Sequence, residues 1–257
     1  MAKAFESLID RVVQRSGLRR WRRAAEAAGH LDLVALRQLR GHARRLRRQI
    51  DRAIHVADGR LALPLTGSNA IQTPLGTDWA YRPQAWRGPL DRPGAAGVEN
   101  NTRIGDEVTV FHDCSVSEIT LRQLRNTREA DLAPFGLRMD VFRFDGSFLS
   151  LAVDLPPEAV QGLERRHLVR LAAIVEMEKP LEIFARLNVK HGPNVEQAVR
   201  ELPSEGGEVS VDFDLAYTNL NESRVEKMWL DLIFEGPEMN QVILRDLAMS
   251  RRPRLEL

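Results

Sequence analysis

The chain has one cysteine, two tyrosines and four lysines in 257 residues. Cys114 alone leaves no partner for an intramolecular disulfide, which fits a reducing compartment. No uninterrupted apolar stretch reaches the roughly 20 residues that a membrane helix needs, so no span is expected. Glu6 and Asp10 stand where a secretory leader would be apolar, and the sequence predicts cytoplasmic synthesis without a signal peptide. There is no G-x-S-x-G elbow, phosphate loop or dinucleotide fingerprint. The histidines at 30, 42, 55, 167 and 191 form no ligand spacing, and no spaced Cys or His pair completes a zinc site, so neither metal nor cofactor is expected. His112-Asp113-Cys114 is the one local cluster. His112 and Cys114 share a strand face that Asp113 does not, and Cys114 reads as an ordinary buried cysteine.

Lysine is scarce because arginine replaces it, 33 to 4. This reads first as coding bias from a GC-rich genome and second as recognition of phosphate or carboxylate. Charge is unevenly spread. Residues 1–60 hold 15 Lys and Arg against 6 Asp and Glu, whereas the remainder holds 22 against 30. A basic head on an acidic body points to two surfaces with different partners.

Phe5, Leu8, Ile9, Val12 and Val13 predict a short amphipathic helix over 3–15, ended by Gly17. A longer helix is predicted from about Asp32 to Ala57. Its seam of Leu36, Leu39, Ala43, Leu46, Ile50 and Ala53 steps by three and four. Arg37, Arg40, Arg44, Arg45, Arg47, Arg48 and Arg52 surround that seam. The arginines read as a solvated helix surface or as a docking face for an acidic protein. Nucleic acid is disfavoured, because no recognised module or aromatic platform accompanies the charge. The candidate anchoring set is Leu36, Leu39, Leu46 and Ile50 with Arg44, Arg45, Arg47 and Arg48.

Residues 61–105 are punctuated by proline and glycine and read as a long irregular connection. They carry Trp79, Tyr81 and Trp86, which either pin the connection to the body or offer a platform to a sugar ring or a protein partner. From 106 to 257 about nine strands are expected without long helices between them, a mainly β chain folded as an antiparallel jelly-roll-like β-sandwich behind an N-terminal α-helical region. Lys227–Glu235 and Gln241–Ser250, joined through Gly236-Pro237, read as an antiparallel pair around which the body is organised. Asp145-Gly146, between Phe144 and Ser147, reads as a two-residue hairpin turn.

Carboxylates pair along the strands. Asp212 and Asp214 share a face at a spacing suited to acid–base work or to calcium, or simply to a solvated strand face, and with Glu235 they define a rival glycan-hydrolysing reading. Arg186 to Asn194 (RLNVKHGPN) places Arg186, Asn188 and Lys190 on one strand face, with His191 and Asn194 at the exit turn. Asn188, Lys190, His191 and Asn194 therefore join Trp79, Tyr81 and Trp86 as candidate ligand-binding residues, the other reading being turn chemistry.

The segments FRFDGSFLSLAVDLP, FARLNVKHGPN and WLDLIFEGPEMNQVILRDLAMSRRP resemble a family of uncharacterised alphaproteobacterial proteins. The strand pattern also resembles carbohydrate-binding jelly rolls. The body-and-head organisation is similar to the head-spike base proteins of gene transfer agents, phage-like particles whose spikes sit on capsid vertices and meet cell-surface polysaccharide. The absence of a complete catalytic constellation predicts a structural or binding protein and not an enzyme, which suits these resemblances. The resemblances imply attachment to an assembly such as a capsid through the N-terminal helices, an oligomeric state, a glycan or protein ligand on the sandwich, and release within a particle. No catalytic residue is implied.

Overall fold

The computed structural model describes residues 8–65, 70–203 and 206–254, and the chain divides into a helical unit (residues 1–54) and a second unit (55–257). Phe5 of the sequence reading lies outside the described residues, as do the side chains of Leu8–Val13 and Arg52.

Helices α1 (Leu8–Ala27) and α2 (Leu33–Leu65), the latter running past the unit boundary, flank a single 3₁₀ turn at Ala28–His30. Asp32 starts α2, its Oδ1 accepting from Val34 N at 2.8 Å and Ala35 N at 2.9 Å, which satisfies two of the helix's orphan amides. Those bonds hold the Asp32 carboxyl below its ordinary value. The expected stop at Gly17 does not occur. A mid-helix glycine costs only about 1 kcal/mol, and the arginine- and alanine-rich turns beyond it are good helix formers. On α2, Leu36 and Leu39 are half-buried, whereas Leu46 and Ile50 remain 40% and 48% exposed. Arg44, Arg45 and Arg48 are exposed, and Arg47 pairs with Asp51 at 3.2 Å.

The second unit contains thirteen strands among the described residues: β1 (Trp79–Tyr81), β2 (Gly94–Ala96), β3 (Thr102–Ile104), β4 (Val108–His112), β5 (Ile119–Arg125), β6 (Phe135–Val141), β7 (Leu149–Asp154), β8 (His167–Met177), β9 (Glu182–His191), β10 (Asn194–Glu201), β11 (Gly207–Asp214), β12 (Val225–Glu235) and β13 (Asn240–Pro253). A one-turn helix, α3 (Gln84–Arg87), follows β1. One sheet runs β11-β8-β13-β6-β5-β2, with β1 on the far half of β13. The other runs β10-β9-β12-β7-β4-β3, and every pairing is antiparallel. The protein is therefore an antiparallel β-sandwich preceded by helices, as the strand pattern indicates. Alternate residues of each strand point inward, and the core joins Leu230, Leu232 and Phe234 of β12 to Leu171 of β8 and Leu247 and Met249 of β13.

Two expected pairings are overturned. β12 and β13 do not pair with each other. β12 lies between β9 and β7, and β13 lies between β8 and β6 in the opposite sheet, so residues 236–239 carry the chain across the sandwich. Gly236 (φ 59°) and Met239 (φ 52°) make that crossing. Asp145-Gly146 likewise links β6 in one sheet to β7 in the other. Asp145 accepts from the amide and hydroxyl of Ser115, and Asp113 accepts from Ser147 N at 2.7 Å and Ser147 Oγ at 2.6 Å, so the crossing is clamped to the loop after β4. A Cβ on Gly146 would meet Asp113 Oδ1 at 2.5 Å, so glycine serves close approach here, not a tight turn.

The connection is more ordered than expected. α2 continues to Leu65, and β1, α3, β2 and β3 within 61–105 join the sandwich. β10 is also unexpected; Val195, Ala198 and Val199 among polar residues carry little period-two signal. β9 and β10 form a true hairpin through Gly192-Pro193, with Gly192 at φ 56° as a two-residue turn requires.

Candidate functional site

The outward faces of the two sheets differ in chemistry. The seven-stranded sheet turns ion pairs outward: Arg170 with Asp212 at 2.7 Å, Arg138 with Asp140 at 2.7 Å, and Arg245 with Glu176 at 3.0 Å. The six-stranded sheet mixes aromatic, aliphatic and amide groups. Register places Gln197, Asn188, Trp229 and Asp154 in one row across β10, β9, β12 and β7. The next row holds Val199, Arg186, Asp231, Ala152 and Thr109, and the row beyond holds Phe184, Ile233, Ser150 and Phe111.

At the centre of this face lies a hydrogen-bonded network. Arg186 donates to Asp231 Oδ2 through Nε at 3.0 Å and Nη2 at 2.8 Å. Asn188 Nδ2 donates to the same oxygen at 2.9 Å and to the Arg186 carbonyl at 3.1 Å, and its Oδ1 accepts from Gln197 Nε2 at 3.1 Å. Asn188, 1% exposed, is fully engaged and positions its neighbours. Asp231 Oδ1, Arg186 Nη1, Gln197 Oε1 and Trp229 Nε1 accept no bond from, and donate none to, the described residues, Asp231 itself being buried at the foot of the face. Trp229 is half-buried beside Asn188, with Lys227 Nζ 5.6 Å from its ring centroid. Lys227 pairs with Asp154 at 2.8 Å, and Lys190 with Glu226 at 2.6 Å. Two acceptors, two donors and an aromatic ring on a rigid sheet can hold hydroxyl groups, each of which both donates and accepts.

The sequence-derived candidates divide accordingly. Asn188 and Lys190 belong to this face. His191 does not: it points inward, 4% exposed, with Nδ1 accepting from Asn221 N at 3.3 Å and Nε2 3.7 Å from Glu196. Asn194 is exposed at the start of β10, directly opposite His191. Trp86 is wholly buried and donates Nε1 to the Leu244 carbonyl at 2.9 Å, so no ligand reaches it. Trp79 and Tyr81 stack at 6.2 Å and pack on the core, with Arg87 4.9 Å from the Tyr81 ring centroid. Burial and the Glu107 carboxylate, which accepts from the Tyr81 hydroxyl, push that phenol well above its ordinary value. These three aromatics pin the connecting segment. Trp229, Asp231 and Gln197 were missed; the available signal was that Trp229 and Asp231 share a face of β12.

His112 is buried, bonding Val98 O at 2.8 Å through Nε2 and accepting from Cys114 N at 3.1 Å. Burial raises the Cys114 thiol above its ordinary value, because the thiolate is the form that loses hydration. Asp214 caps Ala216 N at 3.0 Å and pairs with Arg254 at 3.3 Å, so it and Asp212 are both engaged in structural contacts. Among the described residues no group of three or more His, Cys, Asp or Glu is placed to hold a metal ion, and no helix is long and apolar enough to cross a membrane.

Fold and face together define a two-sheet β-sandwich protein with a hydrogen-bonding aromatic face and basic N-terminal helices. The chain belongs to the family described as "Family of unknown function (DUF6478)", whose model matches residues 1–257. No curated protein matches it. Solved structures resemble it in strand arrangement. The enzymatically active domain of bacteriophage CBA120 tailspike protein 4 is 6% identical with a TM-score of 0.40, over 56% of this chain and only 19% of that one. A family 11 carbohydrate-binding module from Clostridium thermocellum, in complex with a β-1,3-1,4-mixed-linked tetrasaccharide, is 9% identical with a TM-score of 0.40, over 63% of this chain and 99% of that one. The CBM22-1 xylan-binding domain of Paenibacillus barcinonensis Xyn10C is 9% identical with a TM-score of 0.34, over 64% and 94%. These likenesses concern the fold alone.

Proposed function

We propose that this is a non-enzymatic binding protein that holds a glycan on the outward face of its six-stranded sheet. The observation that carries the reading is Trp229 set directly beside the Arg186–Asp231–Asn188–Gln197 network. The indole offers a flat apolar surface to a sugar ring, and Asp231 Oδ1, Arg186 Nη1 and Gln197 Oε1 offer directed bonds to its hydroxyls. Because Asn188 holds these groups in place before any ligand arrives, little ordering entropy is lost on binding. Within the same proposal the helical unit attaches the chain to a larger assembly, a phage-like particle on the resemblance stated above. What supports attachment is the exposed Leu46 and Ile50 on a helix lined by Arg44, Arg45 and Arg48.

Affinity electrophoresis through gels cast with purified polysaccharides tests the reading. The intact protein is expected to be retarded by at least one polysaccharide. Trp229→Ala is expected to abolish that retardation, and Asn188→Ala to weaken it about tenfold or more through loss of positioning. Retardation unchanged in Trp229→Ala would remove the site, and an absence of retardation across a broad panel would remove the function. Chromatography of the recovered polysaccharide tests the non-enzymatic half: shortened chains would restore a hydrolase.

A further inference from the structure

Resting on that reading, we infer that the glycan taken by this face is uncharged, a neutral polysaccharide and not a uronate-bearing, phosphorylated or sulfated one. The argument is a charge inventory of the face. Three cations stand near Trp229, and each faces a carboxylate of the same surface: Arg186 meets Asp231 at 2.8 Å, Lys190 meets Glu226 at 2.6 Å, and Lys227 meets Asp154 at 2.8 Å. Arg103 lies further out in the row of Arg186. At the far end of the face stand Glu182, Glu201 and Glu235, with no cation opposite them in register. Carboxylates thus outnumber cations on this surface, and the chain beyond residue 60 carries 30 acidic against 22 basic residues.

The two lysine pairs are exposed and contribute only about 0–1 kcal/mol each to stability. Their strength is not what matters here. An approaching anion feels the summed field within about 8–10 Å, and here that field is neutral to negative. A carboxylate or sulfate set against Trp229 would sit in the field of Asp231 and Asp154, or would displace one of them from its cation, which is costly where the aspartate left behind is the buried Asp231. A hydroxyl needs no such exchange. It donates to Asp231 Oδ1 or accepts from Arg186 Nη1 while the ion pair stays closed. Selectivity therefore arises from repulsion of the wrong ligand as much as from attraction to the right one.

The test uses the full chain in affinity gels containing hydroxyethylcellulose, mixed-linked β-glucan, xylan or galactan, against carboxymethylcellulose, polygalacturonate or dextran sulfate. Each gel is run with the wild type and with Trp229→Ala, so that adhesion of polyanions to the arginine-rich helices, which survives that substitution, is subtracted. The expected result is Trp229-dependent retention by a neutral polymer, unchanged between about 50 and about 500 mM salt. Trp229-dependent retention by charged polymers is expected to be at least about tenfold weaker. The double variant Asp154→Asn/Glu226→Gln, which frees Lys227 and Lys190, is expected to gain Trp229-dependent retention by carboxymethylcellulose while keeping its hold on the neutral polymer. Trp229-dependent, salt-sensitive binding of a charged polymer as tight as any neutral one would overturn the inference and leave the glycan reading intact. No Trp229-dependent binding of any polymer would overturn both.

Discussion

Arg82 and Asp246, 164 residues apart, form a two-point ion pair inside the second unit, Nε to Oδ1 and Nη2 to Oδ2, both at 2.8 Å. Arg82 is 2% exposed and also donates to the Ala70 carbonyl at 3.1 Å. The pair ties the segment after β1 to the bulge in β13, where register shifts between Leu244 and Asp246. Breaking a buried pair on one side strands a charge. Arg82→Met is therefore expected to lower the unfolding free energy by about 3–5 kcal/mol in urea titrations, and Arg82→Met/Asp246→Leu to recover much of that loss. A double variant as unstable as the single would show that the pair's contribution is not electrostatic.

Two tryptophans separate scaffold from site. Trp86 is wholly buried, so Trp86→Ala leaves a large cavity and removes the bond to the Leu244 carbonyl, with an expected cost of about 3–5 kcal/mol. Trp229→Ala, on the outward face, is expected to cost about 1 kcal/mol or less while removing glycan retention. Thermal melts set beside affinity gels read both. The reverse assignment of effects would mean that the two roles had been exchanged.

Gly136 of β6 approaches β13 at its bulge. A Cβ there would lie 2.8 Å from Leu244 O and 3.1 Å from Arg245 Cα, both backbone atoms. Neither can swing away as a side chain could. Gly136→Ala is expected to destabilise by about 1–3 kcal/mol, whereas alanine at Gly162, with nothing within 4 Å, meets only the strain of φ 66°. Urea midpoints of the two variants measure the difference.

Acid should weaken the sandwich through specific carboxylates. Hydrogen bonding from Arg170 holds Asp212 below its ordinary value. The Ser147 and Ser115 hydroxyls do the same for Asp113 and Asp145. Burial pushes Asp140 upward, but the hydrogen bond and charge of Arg138 outweigh it and the net direction is down. Depressed carboxylates favour the fold above the unfolded value near pH 3.9 and lose that contribution as pH falls through their folded values. The melting temperature is expected to be flat from about pH 7 to about pH 5 and to drop below about pH 4. Asp212→Asn, less stable at neutral pH, is expected to lose less on acidification. An unchanged acid limb in that variant would assign the effect elsewhere.

Much of the architecture was readable from residue types in order, because period-two alternation reports burial of one strand face. The strand His167–Met177 falls where its alternating Leu, Val and Ala predict, and Asp32 begins α2 as a capping residue should. Alternation does not report which strand lies alongside. A strand buried on one face shows the same pattern whether its chain neighbour bonds to it edge-on or faces it across the core. For that reason Gly236-Pro237 and Asp145-Gly146 both read as hairpin turns and both proved to be crossings between sheets. The site was legible in the same partial way. Arg186, Asn188 and Lys190 share a face by spacing alone, but Asp231 comes to Asn188 from 43 residues away, and Gln197 from the unexpected β10. The sequence by itself determined which side chains turn outward and that the first 60 residues and the remainder carry opposite net charge. Only the tertiary structure decided that Trp229, Asp231, Arg186 and Gln197 stand together and that Trp86 is core, because backbone pairing between distant strands and the filling of a shared interior are collective choices that no local pattern encodes.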